Sequence, residues 1–249
     1  MERKRPVLLL DVDGVILDNN FYELEWDRLA PLAFGKLLGG NLAAWSSAQD
    51  KAWRFVEQRA NRRLAERPPQ RWPSPADWWR GANSDWIVEV CKIVGVHAPA
   101  TLEQRLAAAD YAMTTYFSNT RAIFPGVKAA ICFLANQFEI HMASGNPAIV
   151  VECVLQNVGV RELIGQPYGT DILGTYKGDP AFYEAILSSV GRDPSEAIVV
   201  DDTPRCVREA SAAGAKTVIV GQKTELADLA VESLAELPLA IERIEFRDR

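Results

Sequence analysis

The sequence predicts an α/β protein, a doubly wound parallel sheet with an α-helical subdomain inserted after its first strand. Two observations predict the sheet: short, wholly apolar runs that end abruptly in polar residues, and amphipathic helical patterns between them. A third predicts the insertion. From about Asn19 to Thr120 the strand-like runs give way to long helical patterns rich in Trp and Arg.

The elements follow in order. Val7 to Leu10 is a continuous apolar run, as a strand buried on both faces requires, and it stops at Asp11-Val12-Asp13-Gly14. Within the insert, Leu102, Leu106, Ala109, Met113 and Tyr116 fall at near-helical spacing, while Arg67-Pro68-Pro69 and Trp72-Pro73-Ser74-Pro75 divide it into pieces. Four or five helices are expected there. Alternation returns after Phe124-Pro125-Gly126: Val127, Ala130, Ile131 and Leu134 give one helix face, and Phe138 to Ala143 read as a strand ending at Ser144-Gly145-Asn146-Pro147. A helix through Val150 and Val154 follows. Lys177-Gly178-Asp179-Pro180 then leads a helix with Phe182, Ile186 and Val190 on one side. Ala197 to Val200 form a buried strand ending in Asp201-Asp202; a further helix, the strand Thr217 to Val220 and a last helix complete a Rossmann-like pattern. The expected domains are an α/β core of residues 1–18 and 121–249 and a helical cap of residues 19–120.

A chain of 249 residues suits one such core with an inserted subdomain, and 48% apolar with 24% charged residues is the composition of an ordinary globular protein. A net charge of -6 argues against a broad nucleic-acid-binding surface, and no apolar run is long enough to span a bilayer. Neither nucleic acid nor membrane is expected as a partner, and no signal for an oligomeric state is present. The apolar run behind Met1-Glu2-Arg3-Lys4-Arg5-Pro6 reaches Asp11 too soon for a signal peptide. Cys91, Cys132, Cys153 and Cys206 lack metal-site spacing and read as reduced core thiols of a cytoplasmic protein.

Three apolar strands therefore end in polar residues: Asp11 and Asp13, then Ser144, then Asp201 and Asp202. A parallel sheet brings such ends to one edge. Four carboxylates gathered there repel one another unless a hard divalent cation sits among them, and oxygen-only ligation favours magnesium over zinc. Lys177, in a turn leading a helix, can reach the same cleft. With Ser144 and the loop amides it would complete an anion clamp of the kind phosphoryl transfer requires, leaving Asp11 free to attack phosphorus.

Asp11-Val12-Asp13-Gly14-Val15-Ile16-Leu17-Asp18, Ser144, Lys177 with Pro180 and Tyr183, and Asp201-Asp202 together resemble the four ordered motifs of the haloacid dehalogenase superfamily, with Phe124-Pro125-Gly126-Val127 resembling the return from cap to core. The match covers about 6–18 and 121–240, and points to the phosphatase and β-phosphoglucomutase-like branch with an α-helical C1-type cap. The resemblance implies that Asp11 is the nucleophile and Asp13 the general acid and base. It implies phosphate binding by Ser144 with Gly145 and Asn146, charge neutralisation by Lys177, and magnesium held by Asp11, the Asp13 carbonyl, Asp201 and Asp202. Many relatives carry Gly where Asp201 stands, so Asp202 is the preferred direct ligand. Dehalogenases carry an aromatic residue at the position of Asp13, which places this sequence with the phosphoryl-transfer members.

The function expected is a magnesium-dependent phosphatase acting on a small phosphorylated metabolite through an aspartyl phosphate, the cap closing over the cleft. A sugar-phosphate mutase is the alternative, because the Asp201-Asp202 pair resembles the Glu-Asp of the β-phosphoglucomutase-like branch. A phosphonate hydrolase ranks lower, since Lys36 and Lys51 lack a diagnostic context for imine chemistry; a phosphoacceptor signalling module would be much shorter. Trp72, Trp78, Trp79 and Trp86 read as packing within the cap, and Arg59, Arg62, Arg63 and Arg67 as a solvated face. Asp18 and Asp179 suit turn or cap roles as well as supporting ones. His97 and His141 are assigned no role.

Overall fold

The computed structural model describes residues 5–65 and 73–244; the Arg67-Pro68-Pro69 break, Trp72, the first four residues and the side chain of Arg63 lie outside what it describes. In chain order the elements are β1 (Val7–Leu10), then α1 (Asn19–Leu38), α2 (Leu42–Ala65), α3 (Pro75–Val94) and α4 (Leu102–Phe117). After these come α5 (Val127–Leu134), β2 (Glu139–Ser144), α6 (Ala148–Val158), β3 (Ile164–Gly169), α7 (Thr170–Leu173) and α8 (Pro180–Ser189). The chain finishes with β4 (Ala197–Asp201), α9 (Pro204–Ala212), β5 (Lys216–Val220), β6 (Leu229–Val231) and α10 (Leu237–Ala240). Two compact units result: one holds the chain up to Asn19 and from Ala122 onward, the other Asn20–Arg121.

The first unit is built on one parallel sheet in the order β3-β2-β1-β4-β5-β6. Every residue of β1 and β4 is buried, which is why both read as unbroken apolar runs. Side chains alternate across the pleat, so Val7 and Leu9 join Ala197, Val199, Phe182, Ile186 and Ala210 in a core packed under α8 and α9.

Two strands differ from expectation. β3 was not anticipated, because Ile164-Gly165-Gln166-Pro167-Tyr168-Gly169 is neither apolar throughout nor alternating, and as an edge strand it is not buried on both faces. Between β5 and the expected last helix stands a short edge strand, β6, that was not anticipated, and the helix itself is short: the four-residue α10 flanked by 3-10 turns at Leu234–Glu236 and Ile241–Arg243. Cys132 is also exposed rather than in the core, since it lies off the α5 face formed by Val127, Ala130, Ile131 and Leu134. Cys91, Cys153 and Cys206 are buried, and desolvation pushes the Cys91 and Cys206 thiols up to about 11.

His141 of β2, given no role by the sequence, anchors β3. Its Nδ1 accepts from the Gln166 amide at 2.9 Å, which places the ring proton on Nε2, 3.2 Å from Glu139 Oε1. Glu139 Oε2 in turn accepts from Arg192 Nη2 at 2.6 Å. Gly165 leaves the necessary room: a Cβ there would lie 2.5 Å from His141 Cε1. Burial holds the imidazole below its ordinary value of 6.5, outweighing the pull of Glu139. Below pH 6.5 the unfolded chain therefore takes up the proton more readily than the folded one. The neutral ring's contribution is present above 6.5 and lost as pH falls through the depressed value. Thermal unfolding followed from pH 8 downward is expected to show this acid-side loss, and His141→Gln should remove it; an unchanged pH dependence in the variant would refute the assignment.

The second unit packs four described helices around aromatic side chains. Trp86 is fully buried and contacts Trp26, Phe34 and Trp53, with ring centroids 5.4 to 6.0 Å apart. Trp79 stacks on Trp53 at 5.9 Å, so these tryptophans pack within the unit as expected. Ser74 caps α3, accepting from Asp77 N at 3.1 Å, with Pro75 at the first helical position. Thr101 and Gln104 form a reciprocal box that starts α4. α1 runs through Pro31, which offers no N–H to the Asp27 carbonyl; Ser46 Oγ donates to that carbonyl instead, at 3.3 Å. No helix among the described residues is long and apolar enough to cross a membrane.

Candidate active site

Open α/β sheets gather ligands at the strand carboxyl ends where the winding reverses, here beside β1. Leu10 is paired with Met142 on one side and Val200 on the other, so the residues that follow, Asp11, Ala143 and Asp201, stand level, with Ser144 one step beyond. The Asp11 amide donates to the Val200 carbonyl at 3.0 Å and carries the ladder one bond past the strand. Register alone thus brings three of the expected motifs to one edge.

Lys177 supplies the fourth. Its Nζ lies 2.6 Å from Asp11 Oδ2 and 2.8 Å from Asp201 Oδ2. The turn that carries it is fixed on both sides: Asp179 caps α8 by accepting from Ala181 N at 2.9 Å, and Arg205 Nη2 donates to the Gly178 carbonyl at 3.1 Å. Gly145 lies alongside, where an added Cβ would come 3.8 Å from Lys177 Cδ.

The Asp11 carboxylate is further oriented by the Val12 amide, which donates to Oδ1 at 2.7 Å. Asp201 Oδ1 accepts from Thr203 N at 2.9 Å, and Asp202 Oδ1 from Thr203 Oγ1 at 3.0 Å. The Asp202 carbonyl accepts from Gln222 Nε2. One ligand oxygen from each of Asp11, Asp201 and Asp202 lies within 4.8 Å of the others, the metal-capable group among the described residues. Gly14, at φ +70, makes room for it: a Cβ there would stand 2.0 Å from Asp202 Oδ2. The Asp13 side chain stays outside this group. Its Oδ2 accepts from Asn146 Nδ2 at 2.7 Å, so any share Asp13 takes in holding an ion would come through its carbonyl. Ser144 is fully buried, and its Oγ accepts from Asn146 N at 3.1 Å, which leaves the hydroxyl proton for an anion.

Burial dominates the electrostatics. It raises the Asp11 carboxyl well above the usual carboxylate range, with Asp201 and Asp13 adding to the rise and Lys177 opposing it. Asp13 and Asp202 are raised by burial as well, against the hydrogen bonds from Asn146 and Thr203 respectively. Burial by itself would lower Lys177, but Asp11 and Asp201 more than compensate and keep it an ammonium. The carboxylates thus exceed the positive charge that faces them, and all their donors are oxygens. That is the setting a hard divalent cation stabilises.

All eight residues singled out from the sequence stand at this edge of the first unit. The side chain of Asn146 is engaged by Asp13. Thr203, Gln222 and Arg205 were missed. Thr203-Pro204 carries a helix-start signal, yet the Thr203 hydroxyl forms no helix cap and turns to Asp202.

Residues 6–214 match the family described as haloacid dehalogenase-like hydrolase. A phosphoglycolate phosphatase of Rhodospirillum rubrum is 30% identical over 100 residues, 40% of this chain and 42% of that protein. Hexitol phosphatase B of Escherichia coli K12 is 23% identical over 247 residues, 95% of this chain and 97% of that one. Among solved structures, a 2-haloacid dehalogenase from Pseudomonas syringae superposes with a TM-score of 0.66 at 17% identity, covering 96% of this chain and 99% of that one. CbbY from Rhodobacter sphaeroides, in complex with phosphate, superposes with a TM-score of 0.58 at 16% identity over 94% and 96%. These structural likenesses show a shared fold.

Proposed function

The chain belongs to the haloacid dehalogenase-like hydrolases, and from that premise we propose that it is a magnesium-dependent phosphatase of a small phosphorylated metabolite. The observation that carries the reading is the carboxylate group Asp11, Asp201 and Asp202 beside a further acid, Asp13. A dehalogenase has no alkoxide to protonate, whereas a phosphate ester does, and Asp13 supplies that proton. The resemblance of the two named phosphatases along the sequence supports the same choice.

Asp11, Asp201 and Asp202, with the Asp13 carbonyl, would hold the magnesium ion; when bound, it neutralises charge on the nucleophile and the phosphoryl group. The chain's own residues do the rest. Asp11, its carboxylate oriented by Val12 N and Lys177, forms a bond to phosphorus as the bond to the leaving oxygen breaks. Asp13 gives that oxygen its proton. Water then attacks phosphorus of the aspartyl phosphate, losing a proton to Asp13 and freeing Asp11 and inorganic phosphate. Ser144, the Gly145 amide and Lys177 hold the transferring group's oxygens. The protein works in the cytoplasm.

The test is a panel of phosphorylated metabolites assayed with magnesium and after exhaustive chelation. Turnover is expected only with magnesium. Calcium should inhibit, because it accepts more ligands in a looser geometry than magnesium and would hold Asp11 less well placed for attack. Undiminished hydrolysis after chelation would sink the reading.

A further inference from the structure

We propose that Asn146 is a positioning residue for Asp13, fixing which carboxyl oxygen exchanges the proton with the leaving group; the assignment rests on the phosphatase reading above. Asn146 Nδ2 donates to Asp13 Oδ2 at 2.7 Å across 133 residues of sequence, joining the loop after β1 to the loop after β2. An amide NH₂ only donates, so the oxygen it faces must be an acceptor. When Asp13 carries a proton, that proton therefore sits on Oδ1. Without Asn146 the carboxyl could rotate, and its proton would point at the leaving oxygen only part of the time.

The donor is itself held in place. Asn146 N donates to Ser144 Oγ at 3.1 Å, and Thr170 Oγ1 donates to the Gly145 carbonyl at 3.2 Å. Ala148 N donates to Asp171 Oδ1 at 2.9 Å. The end of β3 closes against the same loop: a Cβ on Gly169 would lie 2.5 Å from the Asn146 carbonyl oxygen. A side chain clamped at its backbone loses little entropy in making its bond, which is what orienting a general acid requires.

The experiment measures kcat/KM for phosphate monoesters whose leaving groups run from acidic phenols to simple alcohols. This ratio reports the steps up to leaving-group departure, where Asp13 acts as acid. In Asn146→Ala, alkyl phosphates are expected to lose about 30-fold or more and the most acidic aryl phosphates less than about 5-fold, steepening the dependence on leaving-group pKa. Asn146→Leu, which keeps the size without the donor, should do the same and serves if the Ala variant does not fold. Inhibition by inorganic phosphate should stay within about 2-fold of wild type, and in an Asp13→Asn background Asn146→Ala should cost alkyl phosphates nothing more. An equal loss across all leaving groups with weakened phosphate inhibition would overturn the assignment and make Asn146 a phosphate ligand. An unchanged slope in an active enzyme would overturn it alone. A wild-type protein that hydrolyses no phosphate ester would overturn the phosphatase reading and this assignment with it.

Discussion

Asp11→Asn is expected to abolish turnover, by at least ~10⁴-fold, and to leave no phosphorylated protein after rapid acid quench. The amide lacks the charge to attack phosphorus, and it forfeits the ion pair in which Lys177 stands 2.6 Å from Oδ2. Asp13→Asn should fail differently. Its nucleophile is intact, so an aryl phosphate, whose leaving group needs little protonation, should still phosphorylate Asp11. Hydrolysis of that aspartyl phosphate then lacks its base, and the adduct should accumulate. Intact-protein mass reads both outcomes as the presence or absence of one phosphoryl group. Equal phosphorylation of the Asp11→Asn protein would place the nucleophile elsewhere.

The second large effect belongs to Lys177. Lys177→Met is expected to cost about 100-fold or more in rate, the loss of a preorganised charge contact in a site screened from water. The geometry adds a signed expectation. Lys177 serves two buried carboxylates at once, and without it Asp11 and Asp201 face each other with no shared counter-charge. The variant should therefore saturate at lower magnesium than wild type even as its maximal rate collapses, and added magnesium should raise its thermal midpoint more. A misfolded protein would show neither. Full activity in a folded Lys177→Met protein would remove the lysine from the chemistry.

The central sheet was legible because burial on both faces writes itself as apolar runs: β1 and β4 carry unbroken ones, β5 carries Val218 to Val220, and β2 keeps Ile140, Met142 and Ala143 around the polar His141. The strands that were not legible, β3 and β6, are the outer ones, where one long side is unpaired and polar residues, Gly and Pro are tolerated. Within the site, residues that end strands could be placed from the sequence, since strand ends of a parallel sheet converge whatever the loops do. Side-chain partners could not. The bond from Asn146 to Asp13 joins segments 133 residues apart, and Gln222 reaches Asp202 from the loop after β5. Those contacts depend on loop conformations that have no apolar period to betray them. His141 is similar: its partner Gln166 lies on the outer strand that the pattern did not reveal.

The make-up of those two outer strands also governs how the molecule behaves in a crowd. A sheet margin with a full row of free amides and carbonyls invites another chain to add a strand and so to seed aggregation. Here one margin carries Pro167, which has no amide hydrogen to offer, and the other is a strand of only three residues. Neither presents the long, regular template that such growth needs. The same sequence features that hide these strands from a reader of the sequence also deny them to a neighbouring protein.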